Sequence, residues 1–369
     1  MDIAPSFGKA NPLSKSHSAF LILFLCFPTL ARAQTVAPEG PVAQSQEAPA
    51  SNAAGGRIKL DVVVTDKSGK SLSGLDLKDF TLLDNNLPGK ILSFHEIDGT
   101  AQKVNPPVEV ILVIDTVNVG IVSVNTMQEE VDKFLRQNGG HLAQPVSIFV
   151  FTNTGGKFLP GPFTDGNALA AQLDKAGSPL RTIGRAAGVN GAIERFQLSI
   201  QMLAAIVKSQ AKRPGRKLLI WAGPGWPMLN GINIANTSKG QQQFFDWIVE
   251  LSTGLREARI SLYSVSGGEA GASTFRYEDF LKGVKSVEKA NPPNLDLKVL
   301  AIQSGGRVLG PNNDVAAQID SCVEDANAFY TLSFDPTHAD RANQYQELKV
   351  MVGKPGLTAH TNTGYYNQP

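Results

Sequence analysis

The chain has 369 residues, with 34 Lys and Arg against 33 Asp and Glu, a balance that excludes the basic surplus of a nucleic-acid-binding surface. Its two cysteines are Cys26 and Cys322, and the first falls in a leader-like segment, so no intrachain disulfide is expected and core burial has to hold the fold. The length suits one domain of moderate size plus a smaller one.

Lys9 and Lys15 precede an apolar run from Ala19 to Leu30, and Ala31-Arg32-Ala33 supplies the small residues of a cleavage site. The run is shorter than the roughly 20 residues a membrane-crossing helix needs. Residues 1–33 therefore read as a signal peptide cut before Gln34, with no transmembrane segment after cleavage. The mature chain is expected in the periplasm, on the outer surface or in the medium. Cys26 sits behind bulky Leu25, where a lipid-attachment site would want a small residue. Residues 34–56 contain no aromatic residue and read as a disordered linker.

From Arg57 the pattern has period two. Ile58, Leu60, Val62 and Val64 alternate with Arg57, Lys59 and Asp61, and Asp66-Lys67-Ser68-Gly69 supplies a turn. Further strands are expected at Phe80–Leu83 and Ile91–Glu96, separated by Asn85-Asn86 and Pro88-Gly89, so residues 57–98 form a small β module. Lys103 to Pro107 reads as a hinge. Val108 to Ile114 is then a continuous apolar run of the kind buried on both faces of a parallel sheet. A helix follows, with Thr126 to Glu129 as its capping box and Gly139-Gly140 as its end.

Strands at 146–152, 218–221, 260–265 and 307–309 alternate with helices near 189–210, 241–257 and 294–304, which predicts a doubly wound sheet over residues 106–328. A last helix over about 313–328 puts Val315, Ile319, Cys322, Val323 and Ala326 on one face, so Cys322 is expected in the core. Strand patterns return at Tyr330, Leu332 and Phe334 and at Leu348, Val350 and Val352. Residues 57–98 and 329–366 are each too short to fold alone without disulfides or metal. They are expected to pair into one small β-sandwich-like domain around the α/β insertion; the competing picture is two separate flanks packed on the sheet. The fold class is thus α/β, a doubly wound and mostly parallel sheet plus that β domain.

Ligands of open α/β sheets bind beyond the carboxyl ends of the strands, which directs attention to the loops after Ile114 and Trp221. The strand Val110–Asp115 (VILVID) with its following helix, and Leu300 to Val308 leading into a last strand, resemble a von Willebrand factor A domain. The flanking Val62 to Asp66 with Gly69, Leu75 and Asp79-Phe80, then Tyr330 to Pro336 (YTLSFDP) and Gly364-Tyr365-Tyr366, resemble the A-related proteins abundant in acidobacteria. The resemblance spans roughly residues 57–366. It implies an A-like fold, and domains of this fold often hold a divalent cation on an Asp-x-Ser-x-Ser loop, a threonine and an aspartate after the fourth strand.

This chain departs from that pattern. Asp115 matches, but Val117 and Val119 stand where the serines belong, Gly223 stands where the acid belongs, and Thr182 is only the nearest candidate for the threonine. Too few oxygens remain for a hard cation, so the metal-ion site is degenerate and neither metal nor cofactor is expected. Asp115 then reads as a loop residue capping backbone amides. The binding candidates are Asp115, Thr116 and Asn118 in the first loop and Trp226 in the second. Trp226 has two readings, an exposed anchor for a partner or a cover over its own core.

Phosphate-loop, dinucleotide, zinc-protease and serine-elbow motifs are absent, and His95, His141, His338 and His360 are scattered. The expectation is an exported binding or adhesion-type protein, not an enzyme, with a protein ligand in the cell envelope or outside it and no nucleic acid. The alternatives are a hydrolase with a site assembled from distant residues, or a structural subunit of an envelope assembly.

Overall fold

Strands β1 (Ile58–Thr65), β2 (Phe80–Asp84), β3 (Leu87–Gly89) and β4 (Ser93–Asp98) come first. An α/β run follows: β5 (Glu109–Asp115), α1 (Ile121–Arg136), β6 (His141–Thr152), β7 (Gly155–Phe158), β8 (Phe163–Asp165), α2 (Gly166–Lys175), α3 (Val189–Gln210), β9 (Lys217–Ala222), α4 (Ser238–Glu257), β10 (Ile260–Val265), α5 (Leu297–Gln303) and α6 (Val315–Val323). Strands β11 (Ala328–Phe334), β12 (Gln344–Val352), β13 (Thr358–His360) and β14 (Gly364–Asn367) close the chain. This computed structural model describes residues 56–99, 108–119, 121–175, 188–227, 229, 237–267 and 276–367. The signal-peptide and linker segments, the expected hinge at 103–107 and Thr182 lie outside the described residues.

The central sheet has the order β10-β9-β5-β6-β7, with β8 also paired to β6. Strands β5, β6, β9 and β10 are parallel, while β7 and β8 run antiparallel along the outer edge of β6. Every residue of β5, β9 and β10 is buried, because helices cover both faces of the sheet. Alternate residues therefore enter different cores. Ile111, Val113, Leu219, Trp221 and Leu262 pack with α3, α4 and α5, whereas Val110, Leu112, Ile114, Ile220 and Tyr263 pack with α1, α2 and α6. Cys322 is fully buried on the second face, and burial pushes its thiol up.

The flanking strands interleave in two antiparallel sheets, β13-β1-β11-β4 and β14-β12-β2-β3. Strand β1 pairs with β11 (Leu60 opposite Leu332), and β12 pairs with β2 (Val350 opposite Leu82). Their inner faces share one core of Leu60, Val62, Phe80, Leu82, Tyr330, Leu332 and Leu348. Asn85 and Asn86, at φ 49° and 65°, make the two-residue turn joining β2 to β3, the backbone twist such hairpins favour.

Several expectations are corrected. Helix α1 begins at Ile121, so Thr126 lies inside it and is no cap. Pro88-Gly89 lies in edge strand β3, where a proline lacking an N–H is tolerated. The expected strand at 307–309 contracts to one parallel bridge between Val308 and Ser264. Strands β7, β8 and β13 and helix α2 carried no period strong enough to be read. The described residues fall in one compact unit, and none of their helices is long and apolar enough to cross a membrane.

Candidate functional site

The parallel sheet reverses its winding between β5 and β9: the chain steps outward from β5 to β6 on one side and from β9 to β10 on the other. The crevice beyond the carboxyl ends of these two strands is where such sheets bind ligands. Asp115 ends β5, and Ala222-Gly223 ends β9. The sequence-nominated loops are thus brought together at the switch point.

They close on themselves there. Asp115 is fully buried and both its carboxylate oxygens are saturated. Oδ1 accepts from the backbone N–H groups of Val117 at 2.9 Å and Asn118 at 3.0 Å. Oδ2 accepts from Asn118 Nδ2 at 2.8 Å and from the Trp221 indole at 2.9 Å. Burial pushes the carboxyl up from its ordinary range, and the bonds from Asn118 and Trp221 oppose that shift. All four neighbours are donors, an arrangement that suits a carboxylate and leaves no acceptor for a carboxyl proton.

The surroundings fill the space a cation would need. Val117 is 3% exposed and Val119 8%, so both side chains that replace the expected hydroxyls are packed into the protein. Gly223 lies so close beneath Asp115 that a Cβ there would stand 2.7 Å from the Asp115 Cβ, which explains why no acid side chain occupies the end of β9. Octahedral coordination of a small hard cation needs several free oxygens. The described residues do not fit one: the single carboxylate among them is spent on donors, and its neighbours are valines and an indole. Among the described residues, no cluster of three or more His, Cys, Asp or Glu is arranged to hold a metal.

The other candidates are tied into the protein as well, although Asn118 Oδ1 has no hydrogen-bond partner among the described residues. Thr116 is 1% exposed and donates its hydroxyl to the Phe151 carbonyl at 2.7 Å, tying the loop to β6. Asn118 is half-buried; its amide bridges Asp115 and, at 3.1 Å, Ser199 Oγ on α3. Trp226 is 4% exposed, stands edge-on to Trp221 at 5.1 Å, and donates its indole N–H to the Leu295 carbonyl at 2.8 Å. The exposed-anchor reading of Trp226 is therefore corrected to the covering one: a buried indole with its only donor satisfied offers a partner neither area nor a hydrogen bond. Sequence reasoning missed Trp221, whose indole crosses from β9 to β5, because that adjacency follows from strand order and not from spacing along the chain.

The histidines do not converge on this loop. His95 and His141 are exposed on β4 and β6, and His360 on β13 meets Thr65 Oγ1 at 3.0 Å. Burial lowers His360 below its ordinary value.

No known family profile matches the chain, and no curated protein matches it. Solved structures similar to it include the manganese-loaded TRAP protein of Plasmodium vivax, at 10% identity over 74% of this chain and 97% of that one, with a TM-score of 0.36. The human COPII-coat protein Sec24c is similar at 11% identity over 77% of this chain and 46% of that one, TM-score 0.29. Proximal thread matrix protein 1 from the mussel byssus is similar at 11% identity over 67% of this chain and 50% of that one, TM-score 0.33.

Proposed function

We propose that the chain is an exported binding protein whose α/β part is a von Willebrand factor A-like domain with a degenerate metal-ion site, and that its ligand is another protein in the cell envelope or beyond it. The observation that carries this reading is the closed Asp115 loop. A carboxylate with both oxygens committed to four donors cannot act as general base, nucleophile or metal ligand without dismantling the loop it organises. What the carboxyl end of the sheet offers is a rigid frame, and rigid frames with variable surfaces suit protein recognition. The export half rests on the leader pattern of residues 1–33.

The test is a capture experiment with the full mature chain as bait in envelope extract. A saturable protein partner should be recovered equally in EDTA and in millimolar Mn²⁺, since the loop needs no cation. A partner recovered only with Mn²⁺ would overturn the degenerate-site reading, and the absence of any saturable partner would overturn the binding role.

A further inference from the structure

The loop residues nominated from the sequence are largely buried, so the surface a partner touches has to lie elsewhere. At the outer edge of the parallel sheet, β7 pairs with β6 alone among the described residues, and Gly156, Lys157 and Phe158 are exposed. Between this strand and α3 lies a recess of about 400 Å³ whose walls include Phe149, Phe158, Met202, Ala205 and Ile206. Phe158 is 40% exposed and stands edge-on to Phe149 at 4.2 Å. A Cβ on Gly156 would come within 2.5 Å of the Met202 methyl, so a larger residue there would displace the flexible thioether end that lines the recess.

Basic side chains stand at and beside the recess, Lys208 and Lys212 three positions along the chain from the lining residues Ala205 and Ser209. Arg213 lines it, and Lys208 and Lys212 are exposed on and just beyond the last turn of α3. Arg213 is paired with Glu109 at 2.6 Å, whereas among the described residues Lys208 and Lys212 have no acidic partner within ion-pair distance. No carboxylate lines the recess itself.

We propose that this edge and recess receive an extended acidic segment of a protein partner. Its backbone adds a strand beside β7, whose outer edge pairs with no strand among the described residues. Alternate side chains of an added strand point to one face, so every second residue would meet α3, and an aromatic or aliphatic one fills the recess. Asp or Glu at one end of the segment meets Lys208, Lys212 and Arg213, which fixes its direction along the edge. Lys157 in the middle of β7 discourages a second copy of the chain from pairing there. The proposal rests on the binding role above and names its surface.

The probe is a displayed library of random twelve-residue peptides, panned on the full mature chain. Enriched sequences should alternate apolar residues, carry acids at one end, and bind in a salt-dependent way. Ala205→Glu, at an exposed helix position, puts a carboxylate into the recess and should weaken them at least about tenfold, as should the charge reversal Lys208→Glu/Lys212→Glu. Enrichment of basic or unpatterned peptides, no enrichment, or binding untouched by both variants would overturn the proposal. So would a dimer in solution that Ala205→Glu dissociates, which would assign the recess to a second copy. An envelope partner still captured by the Ala205→Glu chain would sink the surface while leaving the binding role intact.

Discussion

At the scale of single residues, the loop after β5 is organised by one carboxylate. Asp115→Ala leaves four donors facing an apolar gap, and Asp115→Asn turns an amide N–H₂ toward the Asn118 and Trp221 donors. Both should lower unfolding free energy in urea by about 2–4 kcal/mol, because each unpaired buried donor costs about 1–3 kcal/mol and neighbours relax in part. An unchanged urea midpoint for Asp115→Asn would show that the negative charge is not what holds the loop. The capping role of Asp115 was legible in the sequence, since an aspartate just past a buried strand, followed by Asn118, is a common turn device. The engagement of Trp226 with the Leu295 carbonyl was not, because the two residues stand 69 positions apart and nothing in their local pattern pairs them.

Helices and strands show where periodicity suffices and where it fails. Helix α3 occupies the expected 189–210 because its apolar face is continuous: Phe196, Ile200, Leu203, Ile206 and Val207 repeat at helical spacing over the sheet. Strand β7 was invisible because Gly155-Gly156-Lys157-Phe158 has one apolar side chain and draws its pairing from β6. Helix α5 carries a cap with a measurable cost. Asp296, 5% exposed, accepts from the Lys298 N–H at 2.9 Å, and burial pushes its carboxyl up from 3.8 to about 6.

A folded-state pKa raised this way contributes stability that is fully present below the unfolded value near 3.8 and is lost as pH rises through about 6. Above that pH the fold holds a buried carboxylate. Asn caps about as well as Asp and does not titrate. Asp296→Asn should therefore match the wild type near pH 4 and exceed it by about 1–3 kcal/mol at pH 7, measured by urea unfolding at both. A difference that does not vary with pH would show that Asp296 has no raised titration.

Over the whole molecule, the β-sandwich and the α/β layers are joined by buried charge as well as by chain. Arg307 donates to Asp325 at 2.9 Å, and Tyr263 donates to the same carboxylate at 3.0 Å. Arg216 donates to the Asp325 carbonyl at 2.6 Å and lies over the Phe329 ring at the start of β11. Asp61 on β1 receives two bonds from Arg259, at 2.5 and 3.0 Å, and one from Thr331 on β11 at 3.2 Å. The alternation that marks β1 and β11 as strands was plain in the sequence. The pairing of Asp61 with Arg259 was not, because the two stand 198 residues apart and each alone reads as a solvated charge.

Arg259 shows which demand prevailed. It follows the last turn of α4 at φ +54°, the left-handed position where helices usually end on glycine, yet an arginine stands there. The bidentate pair with nearly buried Asp61 accounts for it: glycine would relieve the backbone and leave the carboxylate facing Thr331 alone. Two substitutions separate the contributions. Arg259→Ala loses the pair and keeps the strain, and should cost about 3–5 kcal/mol, the range for removing one member of a buried ion pair. Arg259→Gly loses the pair but relaxes the backbone, and should cost about 1 kcal/mol less.

Because the clasp spans both layers, the loss should appear in both. All three tryptophans, Trp221, Trp226 and Trp247, lie in the α/β part, so their fluorescence follows that layer, while hydrogen exchange of the Leu348–Val352 amides follows the sandwich. In either variant the two probes should shift together to a lower urea midpoint. Fluorescence that kept its wild-type midpoint while the β12 amides lost protection would mean that the sandwich opens on its own, and that Asp61 and Arg259 stabilise it without coupling it to the sheet beneath.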